Sequence, residues 1–115
     1  MVKSSKEFKT EFREAMRGGE GTVKLTSFVN PEDLCDKGRL FGKITLEPGC
    51  SIGYHVHETD CELFYILKGT ATYSDGGEIK TVTEGDVTIT PAGTGHSISN
   101  DSDEVVELIA LIVYA

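Results

Sequence analysis

The sequence is poor in positive charge. Eleven lysines and arginines stand against nineteen aspartates and glutamates, a net charge of −8 at pH 7. Nucleic acid would be repelled, and no basic stripe overrides that sum. No nucleic-acid partner is therefore expected. An anionic ligand gains no long-range attraction either, unless a bound cation reverses the field locally. Long apolar runs are also missing, which excludes a transmembrane helix and leaves no membrane partner expected. Cysteines number three, Cys35, Cys50 and Cys61. An odd count without a CxxC pair excludes a disulfide framework. The first residues lack the apolar stretch and cleavage site of a secretory leader, so the expectation is a cytoplasmic protein with reduced thiols. Histidine is scarce as well, at three residues.

What remains is an ordinary globular composition, 38% hydrophobic and 26% charged, in 115 residues. That length predicts one domain with one core. Residues 4–17 read as a helix: Ser4 and Glu7 fit a capping box, and Phe8, Phe12 and Met16 recur at helical spacing before Gly18-Gly19. The division expected is an N-terminal helix and linker over 1–20, packed as a flap on a β domain over 21–115. From Thr22 onward short strands alternate with turns. The strands fall at 22–28, 40–47, 54–56, 62–73, 80–82, 86–90, 96–99 and 105–114. Glycine, proline and asparagine punctuate them, the pattern of a sandwich or barrel. The last strand is apolar on both faces apart from Glu107, which asks for a barrel interior on one side and a further layer on the other. The N-terminal helix or a second subunit would supply that layer, and a homodimer is expected.

The three histidines carry the chemistry. His55 and His57 are separated by one residue, and in a strand both then point to the same face. Glu62 opens the next strand in phase with Phe64 and Ile66, so its carboxylate points inward. There it is costly unless something pairs with it, and a divalent metal would remove that cost. His96 follows Pro91-x-Gly93, a turn that brings the chain back antiparallel. All three histidines and one buried carboxylate can then converge. Cys61 adjoins Glu62 and points to the opposite face, and Cys50 reads as a small buried residue.

The frame around these residues adds a family resemblance. Gly49-x5-His55-x-His57-x4-Glu62-x6-Gly69 resembles the first motif of the cupin superfamily at every defined position, and Gly85-x5-Pro91-x-Gly93-x2-His96-x3-Asn100 resembles the second. The matched stretch covers about half of the chain, and the protein looks like a small single-domain microbial cupin. The resemblance implies an all-β fold: a double-stranded β-helix, or jelly-roll barrel, here with a short N-terminal helix. It also implies His55, His57, Glu62 and His96 as the ligands of one metal in the barrel mouth. It gives Gly69, Gly85, Pro91 and Gly93 turn-forming roles and Asn100 a capping role.

Three imidazoles and one carboxylate suit a divalent transition metal: Fe, Mn, Ni, Zn, Co or Cu. Four protein ligands on an octahedral ion leave two positions open, which permits Lewis-acid or redox chemistry. Cupins resembling this one span dioxygenases, oxalate-active enzymes, isomerases, lyases and binding proteins, so fold alone does not give function. The leading expectation is a metal-dependent oxidoreductase of dioxygenase type acting on a small, partly apolar molecule. The alternatives are a non-catalytic protein that binds or senses a small molecule through its metal, and a Lewis-acid lyase or isomerase. No catalytic residue is assigned beyond the ligands. Arg39 and Lys43 are the candidate anion anchors, neither clearly in phase, which argues against phosphosugar chemistry. Tyr54, Tyr65 and Tyr73 read as half-buried sheet packing.

Overall fold

A computed structural model describes residues 1–115. The fold is all-β, with ten strands in two sheets. The strands are β1 (Lys9–Glu14), β2 (Thr22–Ser27), β3 (Gly38–Leu46), β4 (Ser51–His57), β5 (Asp60–Lys68), β6 (Ala71–Asp75), β7 (Glu78–Val82), β8 (Val87–Thr90), β9 (Thr94–Ser99) and β10 (Val106–Tyr114). One sheet has the order β1-β2-β3-β10-β5-β8, the other β4-β9-β6-β7. All neighbours are antiparallel. This is the jelly-roll architecture expected from the two motifs.

The core sits between the sheets and follows the two-residue period of a strand. On β10, Val106, Leu108, Ala110 and Ile112 are buried, as are Phe64 and Ile66 on β5. Ile52, Tyr73 and Ile98 meet them from the other sheet. The 62–73 stretch, read as one strand, is two. Gly69 sits at φ 86°, and a Cβ there would lie 2.6 Å from the Val105 carbonyl oxygen. A left-handed residue in so tight a place breaks the strand.

The N-terminal helix is corrected. Ser4 and Glu7 do form a capping box, but it closes only a three-residue 3-10 turn, Ser5–Glu7. Residues 9–14 are a strand paired in register with β2, Lys9 opposite Ser27 through Glu14 opposite Thr22. The misreading has a physical cause. Residues four apart share a face in a helix and in a strand alike, so Phe8 and Phe12 do not separate the two. Phe8 packs on Phe28, centroids 4.9 Å apart, while Phe12 stays exposed.

On the last strand the even positions are buried, and within the single chain Glu107, Ile109, Leu111 and Val113 are half-buried, with no N-terminal helix over them. Exposed Phe41, Tyr65, Leu67, Val87 and Ile89 lie on strands of the same sheet.

Candidate metal centre

The site lies at one end of the sandwich, between the sheets. β4 carries His55 and His57, β9 carries His96, and β5 carries Glu62. β4 would not present both Ile52 and the two histidines inward if it were regular, since 52 and 55 differ in parity. The β4–β9 register shifts between Ile52 and His55. This irregularity turns the strand so that both imidazoles face inward, the re-aiming role that bulges serve. On β9, His96 pairs opposite His55. On β5 the inward row runs Asp60, Glu62, Phe64, Ile66, all buried.

Four ligand-type atoms converge. His57 Nε2 lies 3.2 Å from Nε2 of His55 and 3.2 Å from Nε2 of His96. Glu62 Oε1 lies 3.0 Å from His57 Nε2 and 3.0 Å from His96 Nε2. All four atoms fall within 4.8 Å of one another. Ligands about 2.1 Å from a metal and at right angles would be roughly 3.0 Å apart, so the cluster is spaced for one ion.

The outer nitrogens strengthen the fit. His55 Nδ1–H donates to the Gly53 carbonyl at 2.8 Å. His57 Nδ1–H donates to Asp60 Oδ1 at 2.7 Å. His96 Nδ1 lies 2.9 Å from both the Tyr73 and Thr90 hydroxyls. Partners on Nδ1 orient each ring, and with the proton on Nδ1 they leave Nε2 free to coordinate. In that tautomer three lone pairs and a carboxylate oxygen face one another, a repulsion that a cation among them would relieve; without one, a proton on Nε2 would bond Glu62 instead. The cluster could therefore hold a metal ion, and its donor set suits a divalent transition metal.

The titration behaviour follows from these contacts. Burial lowers the pKa of His55, helped by the neighbouring His96, His57 and Arg17. The hydrogen bond to Glu62 raises His57, against burial, and Asp60 adds to it. Burial pushes Glu62 up, but hydrogen bonds from His57 and His96 outweigh it and the net shift is downward. Asp60 is likewise pushed up by burial and brought below its usual value by Arg39 and His57. In the chelator-treated protein, Glu62 and Asp60 therefore stabilise above the ordinary carboxylate range, and that contribution is lost as pH falls. His55 costs stability below about pH 6.5, the unfolded histidine value, and His57 contributes stability there that is lost as pH rises through its higher folded value. The metal-free protein is expected to lose melting temperature as pH rises above about 6.5 and through the folded His57 value, at roughly 4 °C per kcal/mol for this size. A bound metal needs deprotonated ligands, so the loaded protein should show no such decline. A melting temperature of the metal-free protein that falls at no pH above about 6.5 would contradict this.

Comparison with known proteins gives the family. A protein-family model described as the cupin domain matches residues 42–114. The chain belongs to the cupin family. This cupin is 38% identical over 113 residues to an oxalate-binding protein of Thermotoga maritima, covering 98% of this chain and 93% of that one. It is 33% identical over 72 residues to a mannose-1-phosphate guanylyltransferase of Salmonella muenchen, but spans only 15% of that protein. Among solved structures, a predicted oxalate decarboxylase of Thermotoga maritima superposes with a TM-score of 0.94 at 37% identity over the whole of both chains. The cupin domain of Schizosaccharomyces pombe Cnp3 superposes at 0.74 with 18% identity, over 91% of this chain and 69% of that one, a likeness of fold.

The cupin's cavity opens beside the histidines and measures about 160 Å³. That is well below a drug-sized pocket of about 300 Å³ or more. Apolar side chains share its wall with Arg13, Arg17, Arg39 and Glu11. Sequence reasoning missed Arg13 and Arg17 because their segment read as helix. The two-residue period of a strand puts Glu11 and Arg13 on one face, and was the signal available. Asp60 is a further residue of the site that sequence reasoning did not single out, although it is in phase with Glu62. It accepts from Arg39 Nε at 2.8 Å as well as from His57. Lys43 pairs with Glu107 at 3.1 Å and does not line the cavity. Tyr73 is fully buried and bonded to His96, whereas Tyr54 and Tyr65 are exposed.

Proposed function

We propose that this cupin holds one divalent transition metal through His55, His57, Glu62 and His96, and binds a small carboxylate at that metal, with oxalate the first candidate. The carrying observation is the convergence of three oriented imidazole Nε2 atoms and Glu62 Oε1 beside a cavity of about 160 Å³. The oxalate-binding name of the 38% identical relative supports the choice of ligand. When bound, the metal would supply Lewis-acid positions for carboxylate oxygens. The chain does the rest. Asp60, Gly53 and the Tyr73–Thr90 pair hold the imidazoles, and apolar residues around the mouth limit the size of what enters. Around the cavity Arg13, Arg17 and Arg39 balance Glu11, Glu62 and Asp60, so a divalent ion leaves a local positive surplus within an acidic protein.

Binding without turnover is favoured over catalysis by one feature. The carboxylate at the cavity other than Glu62 is Glu11, which is exposed and paired to Arg13 at 2.7 Å. No unpaired general acid or base stands over the site. The dioxygenase-type reading is the second one, supported by the partly apolar wall. Calorimetry on the manganese-, iron-, nickel-, zinc-, cobalt- and copper-loaded protein tests both. Saturable oxalate binding near one per chain, dependent on metal and without oxygen uptake, is expected. Oxygen consumption with a small substrate would instead support the oxidoreductase, and absence of oxalate binding by every loaded form would rule out the carboxylate reading. The uncovered outer face of the six-stranded sheet supports the homodimer expected from the sequence.

A further inference from the structure

We infer that Arg17 is the anion clamp of this site: its guanidinium holds the carboxylate oxygens that point away from the metal. The inference rests on the metal–carboxylate reading and names the residue that would make it selective for dicarboxylates. Three arginines line the cavity with His55, His57 and Glu62. Arg13 is committed to Glu11 at 2.7 Å and Arg39 to Asp60 at 2.8 Å. Arg17 alone of the three enters no ion pair or side-chain hydrogen bond. It lines the same cavity as His55, His57 and Glu62, beside the ligand cluster.

The chain goes to some length to put Arg17 there. Ala15 and Arg17 both have left-handed backbone, at φ 49° and 54°, a conformation that residues with a Cβ rarely adopt. The turn is locked onto β4 by a two-way contact: Ser51 N–H donates to the Glu20 carbonyl at 2.8 Å, and Glu20 N–H donates to Ser51 Oγ at 2.8 Å. Gly19 and Gly53 allow the backbones to touch. A Cβ at Gly19 would collide with the Ser51 carbonyl, and one at Gly53 would collide with the Arg17 carbonyl. Gly53 is also the residue whose carbonyl orients His55. The strand irregularity that aims His55 inward thus also seats the turn that carries Arg17, and the two are set in fixed relation.

The chemistry follows from geometry. A dicarboxylate chelating through one oxygen of each carboxyl keeps two oxygens remote from the ion, and a planar guanidinium donates to such a pair of acceptors better than an ammonium does. A monocarboxylate bound at the ion offers no such pair.

The test compares wild type, Arg17→Ala and Lys68→Ala, each loaded with manganese, in calorimetric titrations with oxalate, malonate and acetate. Lys68 is exposed at the end of β5 and does not line the cavity, so its removal controls for the change in net charge. Loss of a charge-assisted pair predicts a Kd about 10- to 100-fold higher for oxalate and malonate in Arg17→Ala. Acetate should change less than about twofold, and Lys68→Ala should match wild type for all three. Oxalate affinity within about twofold of wild type in Arg17→Ala overturns the clamp and leaves the metal–carboxylate reading standing. An equal loss for acetate overturns it as well, since that is a general field effect. No carboxylate binding by loaded wild type overturns both.

Discussion

Replacing His57 and His96 together by alanine is expected to abolish metal retention. Purified without chelator, the wild-type protein should carry about one metal per chain by elemental mass spectrometry, and the double variant essentially none. Removing an outer hydrogen-bond partner of a ligand typically costs 10- to 100-fold in affinity, and here two of the ligands themselves are removed. The two that remain are poorly placed to compensate. His55 is the least buried of the four, and Glu62 loses both imidazoles that hydrogen-bond it. A buried carboxylate without those partners is left to the effect of burial alone, which favours its neutral, weakly ligating form. Circular dichroism of the same samples separates loss of the site from loss of the fold. Metal retained by a folded double variant at the wild-type level would refute the four-ligand assignment.

The second large effect is expected at Phe64. It is 1% exposed and the largest of the fully buried side chains. Its ring stacks on His96, centroids 5.1 Å apart at 24°, and meets Tyr73 edge-on at 6.3 Å. Phe64→Ala should cost about 3–5 kcal/mol through lost burial and the cavity left behind. At this size that is a fall of roughly 12–20 °C in melting temperature. The same substitution removes the wall against which His96 is held, so metal affinity should fall although no ligand is changed. A melting temperature within about 4 °C of wild type would mean that the sheets collapse into the gap, and that Phe64 is not the keystone of the packing.

How far the sequence reached can be seen at particular residues. Strand periodicity was decisive where one face is buried and the other wet: it put Glu62, Phe64 and Ile66 inward. On the last strand, apolar on both faces, it could not say which face is the inner one. It brought the three histidines and Glu62 into one cluster, since H-x-H fixes a shared face and the turn at Pro91-Ala92-Gly93 returns the chain. It failed where two periods coincide, at Phe8 and Phe12, and the error hid Arg13 and Arg17 at the cavity mouth. The break at Gly69 was legible through the motif, which gave that glycine a turn-forming role, but not through periodicity, in which a glycine reads equally as strand interior. Asp60 was missed for a different reason. An acidic residue beside a corner is ordinarily solvated, and only the position of Arg39, twenty-one residues away in sequence, makes its burial tolerable. Contacts of that range leave no local pattern.

The three histidines belong to the four-stranded sheet and Glu62 to the six-stranded one. An ion held by all four would be a rivet through the seam of the sandwich, placed at the end where apolar packing gives way to the open cavity. Its occupancy then bears on mechanics as well as on ligand binding. A ligand that binds only the folded state adds about 4 kcal/mol at a thousandfold excess over its Kd, a large share of the roughly 5–15 kcal/mol that holds a domain together. The supply of metal would in this way set how firmly the two halves of the fold stay shut.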